Sequence, residues 1–136
     1  MKKYVAGYVA CLLVMATLDG IWLGLVAMDS YVSAIGHLMR DQPNFVAAGL
    51  FYVLFVVGIL IFAVAPALAE GAWTKAALLG ALFGFFSYMT YDLTNLATLK
   101  GWPVTISVID MAWGAVITAV TATAGYFAMA AVGRKQ

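Results

Sequence analysis

Four long apolar stretches, residues 4–28, 45–68, 74–98 and 104–132, alternate with short polar breaks. Each exceeds the about 20 residues that a helix needs to cross a hydrocarbon core roughly 30 Å thick. The pattern predicts an all-α integral membrane fold: one transmembrane domain over residues 1–136, built as a four-helix bundle. The turn Ala69 to Trp73 is short, so the second and third helices should be antiparallel neighbours, and a short link from Leu99 to Pro103 starts the last span. Pro43-Asn44 opens the second stretch, and Pro66 is expected to close it, because proline removes a ladder hydrogen bond. Residues 30–41 behave differently. Tyr31, Val32, Ile35, Leu38 and Met39 recur at i, i+1, i+4, i+7 and i+8, one apolar stripe on a helix too short to span. Such a helix is expected in the interface plane, capped by Asp29 or Ser30. His37 and Arg40 lie off the stripe, either as solvated side chains or as parts of a lid over what lies beneath.

Composition narrows the class further. With 65% hydrophobic and 10% charged residues and a mean hydropathy of +1.01, the chain lies outside the range of ordinary soluble domains. A net charge of +1 with no basic run argues against nucleic acid as a partner. Cys11 is the only cysteine, which excludes an intramolecular disulfide and leaves a packing role. Lys2-Lys3 before the first apolar run resembles a signal peptide, but the run is longer than a usual signal core and lacks a clear small-residue cleavage site. We read it as a retained first span. Five basic residues (Lys2, Lys3, Lys75, Arg134, Lys135) fall on the side of the termini and two (Arg40, Lys100) on the other, which favours cytoplasmic termini.

The candidate chemistry lies inside the spans. An ionised carboxylate at the bilayer centre costs at least roughly 2.5–3.5 kcal/mol, so Asp19, Asp92 and Asp110 should face protein or a wet cavity. Asp19 and Trp22 are three apart on the first helix, and Gly20 and Gly24 form a small-xxx-small pair, open to helix packing or to lipid. Tyr52 is the polar interior side chain of the second span. In the third, Gly80 and Gly84 form another small pair; Tyr88, Asp92 and Asn95 line one stripe, with Ser87, Tyr91, Thr94 and Thr98 on the next. Trp102 suits the aromatic belt. Asp110 and Trp113 on the fourth span, with Ser107, Thr118 and Thr121 near their face, echo Asp19 and Trp22 as Asp-x-x-Trp with a glycine close behind. The echo is either chance or a duplication pairing two helical hairpins.

Depth unites these groups. Counting 1.5 Å per residue from the outer helix ends places Asp19 at about 13 Å, Tyr52 at about 12 Å, Asp110 at about 10 Å and Asp92 at about 9 Å. Four helices thus contribute polar groups at one level of the outer half of the membrane. The charge of such a cluster is relieved by a shared proton, by a bound cation, or by a network of Tyr, Asn, Thr and indole donors.

Three classes of function follow. The first is binding, or helping to modify, an amphipathic lipid-like molecule in an outer-leaflet Asp/Asn/Tyr pocket walled by Trp22 and Trp113. The second is a small proton-coupled transporter, resembling the small multidrug exporters in size and in its first-helix carboxylate Asp19, with two further carboxylates that depart from that pattern. The third is a structural or assembly subunit. With one His, one Cys and neither Gly-x-Ser-x-Gly nor His-Glu-x-x-His, the chain gives no support to serine, cysteine or zinc hydrolase chemistry. No cofactor or metal is implied; His37 with methionines is a weak basis for haem. A homo-oligomer is open. Leu18-Asp19-x-x-Trp22, the block Tyr91-Asp92-Leu93-Thr94-Asn95-Leu96-Ala97-Thr98-Leu99-Lys100-Gly101-Trp102 and Asp110-Met111-Ala112-Trp113-Gly114 together resemble the domain of unknown function 2177 family of bacterial inner-membrane proteins. That resemblance, over essentially the whole chain, implies location in the inner membrane and brings no reaction, cofactor or catalytic residue. Its members are sometimes encoded beside enzymes that modify membrane lipids, an associational pointer.

Overall fold

The structure, a computed structural model, describes residues 1–133; Arg134 and Lys135, which enter the charge count above, lie outside the described residues. Among the described residues, four helices are long and apolar enough to cross a membrane: α1 (Lys2–Val26), α3 (Phe45–Glu70), α4 (Trp73–Thr98) and α5 (Val104–Gly133). A short helix α2 (Met28–Ile35) and one 3-10 turn (Gly36–Leu38) lie between α1 and α3. No strand occurs among the described residues.

α5 is the central helix. Its buried positions run from Ile106 to Met129, and α1 and α4 pack along it from two sides. On α1 the buried residues are Gly7, Cys11, Met15 and Asp19, a strict i, i+4 stripe. On α4 they are Ala76, Gly80, Gly84 and Asp92, small residues on the same spacing with a carboxylate two turns further on. A Cβ on Gly84 would run into the Gly114 carbonyl, and one on Gly80 would stand 2.7 Å from the Thr118 carbonyl oxygen, so the α4 and α5 backbones approach as only glycine allows. Along α1, Gly7 meets Met129 and Cys11 meets Gly125, and the Cys11 thiol donates to the Thr121 carbonyl at 3.4 Å. Rising numbers on α1 and α4 meet falling numbers on α5; both run antiparallel to it. α3 completes the core through Val56, Ile59, Ala63 and Val64, and its Phe55 stacks on Phe83 of α4 at 5.1 Å.

Several local features depart from the sequence expectations. α3 does not close at Pro66. A π-helical turn (Leu60–Val64) precedes it, and Pro66 falls in the first turn of the segment Ala65–Glu70, where its missing N–H and its ring are tolerated. The helix ends instead at Gly71, whose φ of 69° is the left-handed cap geometry that glycine supplies at little cost. α2 begins at Met28 and its regular part ends at Ile35. Its N-cap is Ala27, not Asp29 or Ser30, because the α1 ladder runs straight into it: Ala27 N–H donates to the Trp22 carbonyl at 2.8 Å and Tyr31 N–H to the Ala27 carbonyl at 3.0 Å. Asn44 does cap α3, its side-chain oxygen accepting from Ala47 N–H at 3.1 Å. Gly20 and Gly24 meet nothing within 4 Å. Asp19 turned toward α5 places Gly20 about 100° further round α1, on the outside.

Candidate functional site

Asp19, Asp92 and Asp110 are all buried at one end of the three helices that carry them. Asp19 joins three helices: its Oδ2 accepts from the Tyr52 hydroxyl of α3 at 2.5 Å and its Oδ1 from the Trp113 indole N–H of α5 at 3.1 Å. Asp110 accepts a hydrogen bond from the Tyr31 hydroxyl of α2, and the Tyr31 oxygen accepts in turn from the Trp22 indole N–H at 3.4 Å. Burial, reinforced by the hydrogen bond to Asp110, pushes the Tyr31 phenol above its ordinary range, so it is held as a donor.

The two Asp-x-x-Trp motifs therefore meet each other. Trp22 and Trp113 stack with ring centres 4.3 Å apart and planes 8° from parallel. Trp113 reaches the Asp of the other motif directly, and Trp22 reaches Asp110 through Tyr31. This is a local two-fold arrangement of antiparallel helices centred on the indole pair. The motifs lie on the first and last spans, which face one another.

Asp92 stands apart from these bonds. It is 0% exposed, and neither carboxylate oxygen has a hydrogen-bond partner among the described residues. Trp102 and Ser107 flank it, but the Trp102 indole donates to the Ser107 hydroxyl at 3.1 Å. Trp102 is 8% exposed, so it is an interior residue behind Asp92 and not part of an aromatic belt. Asp110 lies within electrostatic reach of it. The hydroxyls of Thr118 and Thr121, further along α5, are likewise buried without partners.

Of the remaining candidates, Tyr88 lays its ring on Gly114, and its hydroxyl lies within electrostatic reach of Asp19, Asp110, Tyr52 and Tyr31 with no hydrogen bond drawn to it. Tyr91 is 57% exposed and packs edge to face on Trp102 at 5.7 Å. Asn95 is half-buried beside Tyr91. His37 and Arg40 are exposed and make no side-chain hydrogen bond or ion pair with a described residue. Two hollows are lined in part by tyrosines of this region. One, of about 270 Å³, lies between α3 and α4 and is lined by Phe51, Phe55, Ser87, Tyr88 and Tyr91. The other, of about 280 Å³, lies where α2 folds against the end of α1, with Leu23, Tyr31, Ile35 and Met39 in its walls.

Tyr31 is the participant that sequence reasoning missed, because its place on an apolar stripe reads as packing. Its phenol was nonetheless the one polar group on that stripe. A family model described as a predicted membrane protein, domain of unknown function 2177, matches residues 4–127. The chain belongs to this family. The match takes in all three buried aspartates and both tryptophans of the stack. No curated protein and no solved structure matches the chain. For this member of the 2177 family, membership and four membrane-capable helices make it a membrane protein that sits in a lipid bilayer.

Proposed function

We propose that the chain is a single transmembrane domain, its four long helices bundled in a bacterial inner membrane with cytoplasmic termini and α2 in the outer interface, and that it binds an amphipathic, lipid-like molecule. The observation that carries this reading is the hollow between α3 and α4. Its walls are the aromatic rings Phe51, Phe55, Tyr88 and Tyr91, and Tyr88 lies within electrostatic reach of Asp19 and Asp110. Pockets that take small molecules combine apolar walls with a few convergent polar groups, and this one has both within a span. Large apolar side chains around the outside, such as Val46, Leu54, Ile61 and Leu78, are exposed, which suits lateral entry from lipid.

A structural role is supported for one part of the cluster: Asp19, with both oxygens bonded to other helices, fastens α1 to α3 and α5. The Tyr88 side chain lines the hollow, and its hydroxyl has no hydrogen-bond partner among the described residues, which leaves it for a ligand. The test is photo-crosslinking with a diazirine-tailed lipid in bilayers, followed by peptide mapping. Labelling concentrated on Phe51, Phe55 and Tyr91, and displaced by excess unlabelled lipid, is the expected result. Labels spread evenly over the lipid-facing residues of all four helices would overturn the proposal.

A further inference from the structure

At the end of the bundle away from the aspartates, we infer a second site, one that takes a phosphate group. A hollow of about 310 Å³ lies there between the first turn of α1, the end of α3 and the last turns of α5, with Lys3, Leu68, Gly71, Tyr126 and Met129 in its walls. Two of these residues bring polar chemistry. Lys3 is half-buried, and the ion pair recorded among the described residues, Lys75 with Glu70, does not involve it. Its ammonium lies 5.4 Å from the centre of the Tyr4 ring, a contact that holds the charge in place without neutralising it. Tyr126 is 8% exposed and packs edge to face on Phe127 at 5.4 Å, yet its hydroxyl has no hydrogen-bond partner among the described residues. A buried phenol and an ammonium without a counter-ion therefore border one space.

A phosphate answers both. Its charge meets the ammonium, and its several oxygens let the hydroxyl donate at the same time. Glu70, the carboxylate of the neighbouring turn, is taken by Lys75 and does not compete for Lys3, while Lys2 adds positive charge nearby. The level is also right. Tyr4 and Trp73, at this same end, are half-exposed, the placement of aromatic side chains at a bilayer interface. Basic pockets between membrane helices at that level receive the headgroups of anionic lipids.

The experiment titrates the full chain in maltoside micelles with dihexanoyl phosphatidic acid, dihexanoylglycerol and inorganic phosphate, each heat corrected against protein-free micelles. The diglyceride reports any binding in the hollow between α3 and α4, so the two sites are told apart. Phosphatidic acid bound about tenfold or more tighter than the diglyceride is expected. That affinity should fall about tenfold in Lys3→Gln and about threefold in Tyr126→Phe, which keeps the ring and its packing. Lys2→Gln, at an exposed residue outside the walls, should change it by less than about twofold. Inorganic phosphate bound as tightly as the lipid would assign the site to free phosphate, and inorganic phosphate bound far more weakly would assign it to a lipid headgroup; both uphold the inference. Phosphatidic acid bound no better than the diglyceride, or not at all, would overturn it. So would an equal fall in Lys2→Gln and Lys3→Gln, which reduces the effect to surface charge, or an affinity untouched by Tyr126→Phe.

Discussion

Removing the Tyr52 hydroxyl isolates one arm of the Asp19 junction. In Tyr52→Phe the ring and its packing stay, while Asp19 Oδ2 loses its recorded donor and Oδ1 keeps Trp113. Hydrogen bonds to charged groups contribute about 1.5–3 kcal/mol in soluble proteins. Between membrane helices the average is nearer about 0.6 kcal/mol and the upper end about 1.7, because the separated helices find other partners. Asp19 is buried and the bond spans only 2.5 Å, which places this pair at the upper end; we expect a loss of about 1.5 kcal/mol. Asp19→Asn keeps an acceptor for Trp113 but removes the charge. In a double-mutant cycle the two changes should therefore couple, the pair costing less than the sum of the singles. The assay is reversible unfolding in mixed micelles, read by helical circular dichroism. A cost below about 0.5 kcal/mol for Tyr52→Phe, with no coupling to Asp19→Asn, would refute the three-helix junction.

Two further outcomes follow from the packing and from α2. Gly84→Ala should destabilise by about 1–3 kcal/mol, since its Cβ has nowhere to go but into the α5 backbone, whereas Gly20→Ala should be neutral or stabilising in the same unfolding assay. Equal costs would mean that α4 and α5 are not in that contact. Because the Tyr31 phenol is held above its ordinary value of about 10, the folded state keeps its proton where the unfolded chain has lost it. Stability should thus be flat in this respect below about pH 10 and fall above it, and the late-titrating part of the tyrosinate absorbance should shrink by one residue in Tyr31→Phe. A late-titrating absorbance unchanged by Tyr31→Phe would contradict the bond to Asp110.

Much of the fold is legible because a membrane constrains a sequence so tightly: a helix must be apolar for about 20 residues, and the four runs that satisfy this are the four long helices. The choice between the two glycine pairs is harder, since Gly20/Gly24 and Gly80/Gly84 have identical spacing. What separates them is the neighbouring stripe. Ala76 extends the second pair along one face, while a first helix that turns Asp19 inward carries Gly20 outward. The π turns at Trp22–Val26 and Leu60–Val64 have no local signature, so neither the passage of α3 beyond Pro66 nor the seamless run from α1 to α2 could be read in advance. Around the candidate site, counting residues sets depth but not direction. It aligns Asp19 with Tyr52, yet it cannot say that Asp92 turns toward Trp102 and Ser107 and away from Tyr52, because that depends on how α4 rolls against α5. Tyr31 and Trp102 escaped for a related reason: both were assigned to interfaces on apolar character, when the polar tip of each is turned inward.

The Asp19 junction also bears on how the chain is made. Of the two donors it receives, Tyr52 lies 33 residues downstream and Trp113 lies 94. A ribosome feeding this protein into a bilayer delivers α1 with its carboxylate bare, brings the first donor with the next long helix, and supplies the second only with α5, 94 residues after Asp19. Until then α1 is an incompletely satisfied segment, best retained at the insertion site by whatever machinery shelters it. Truncation before α5 should leave a nascent product that lingers there and is cleared by membrane proteases.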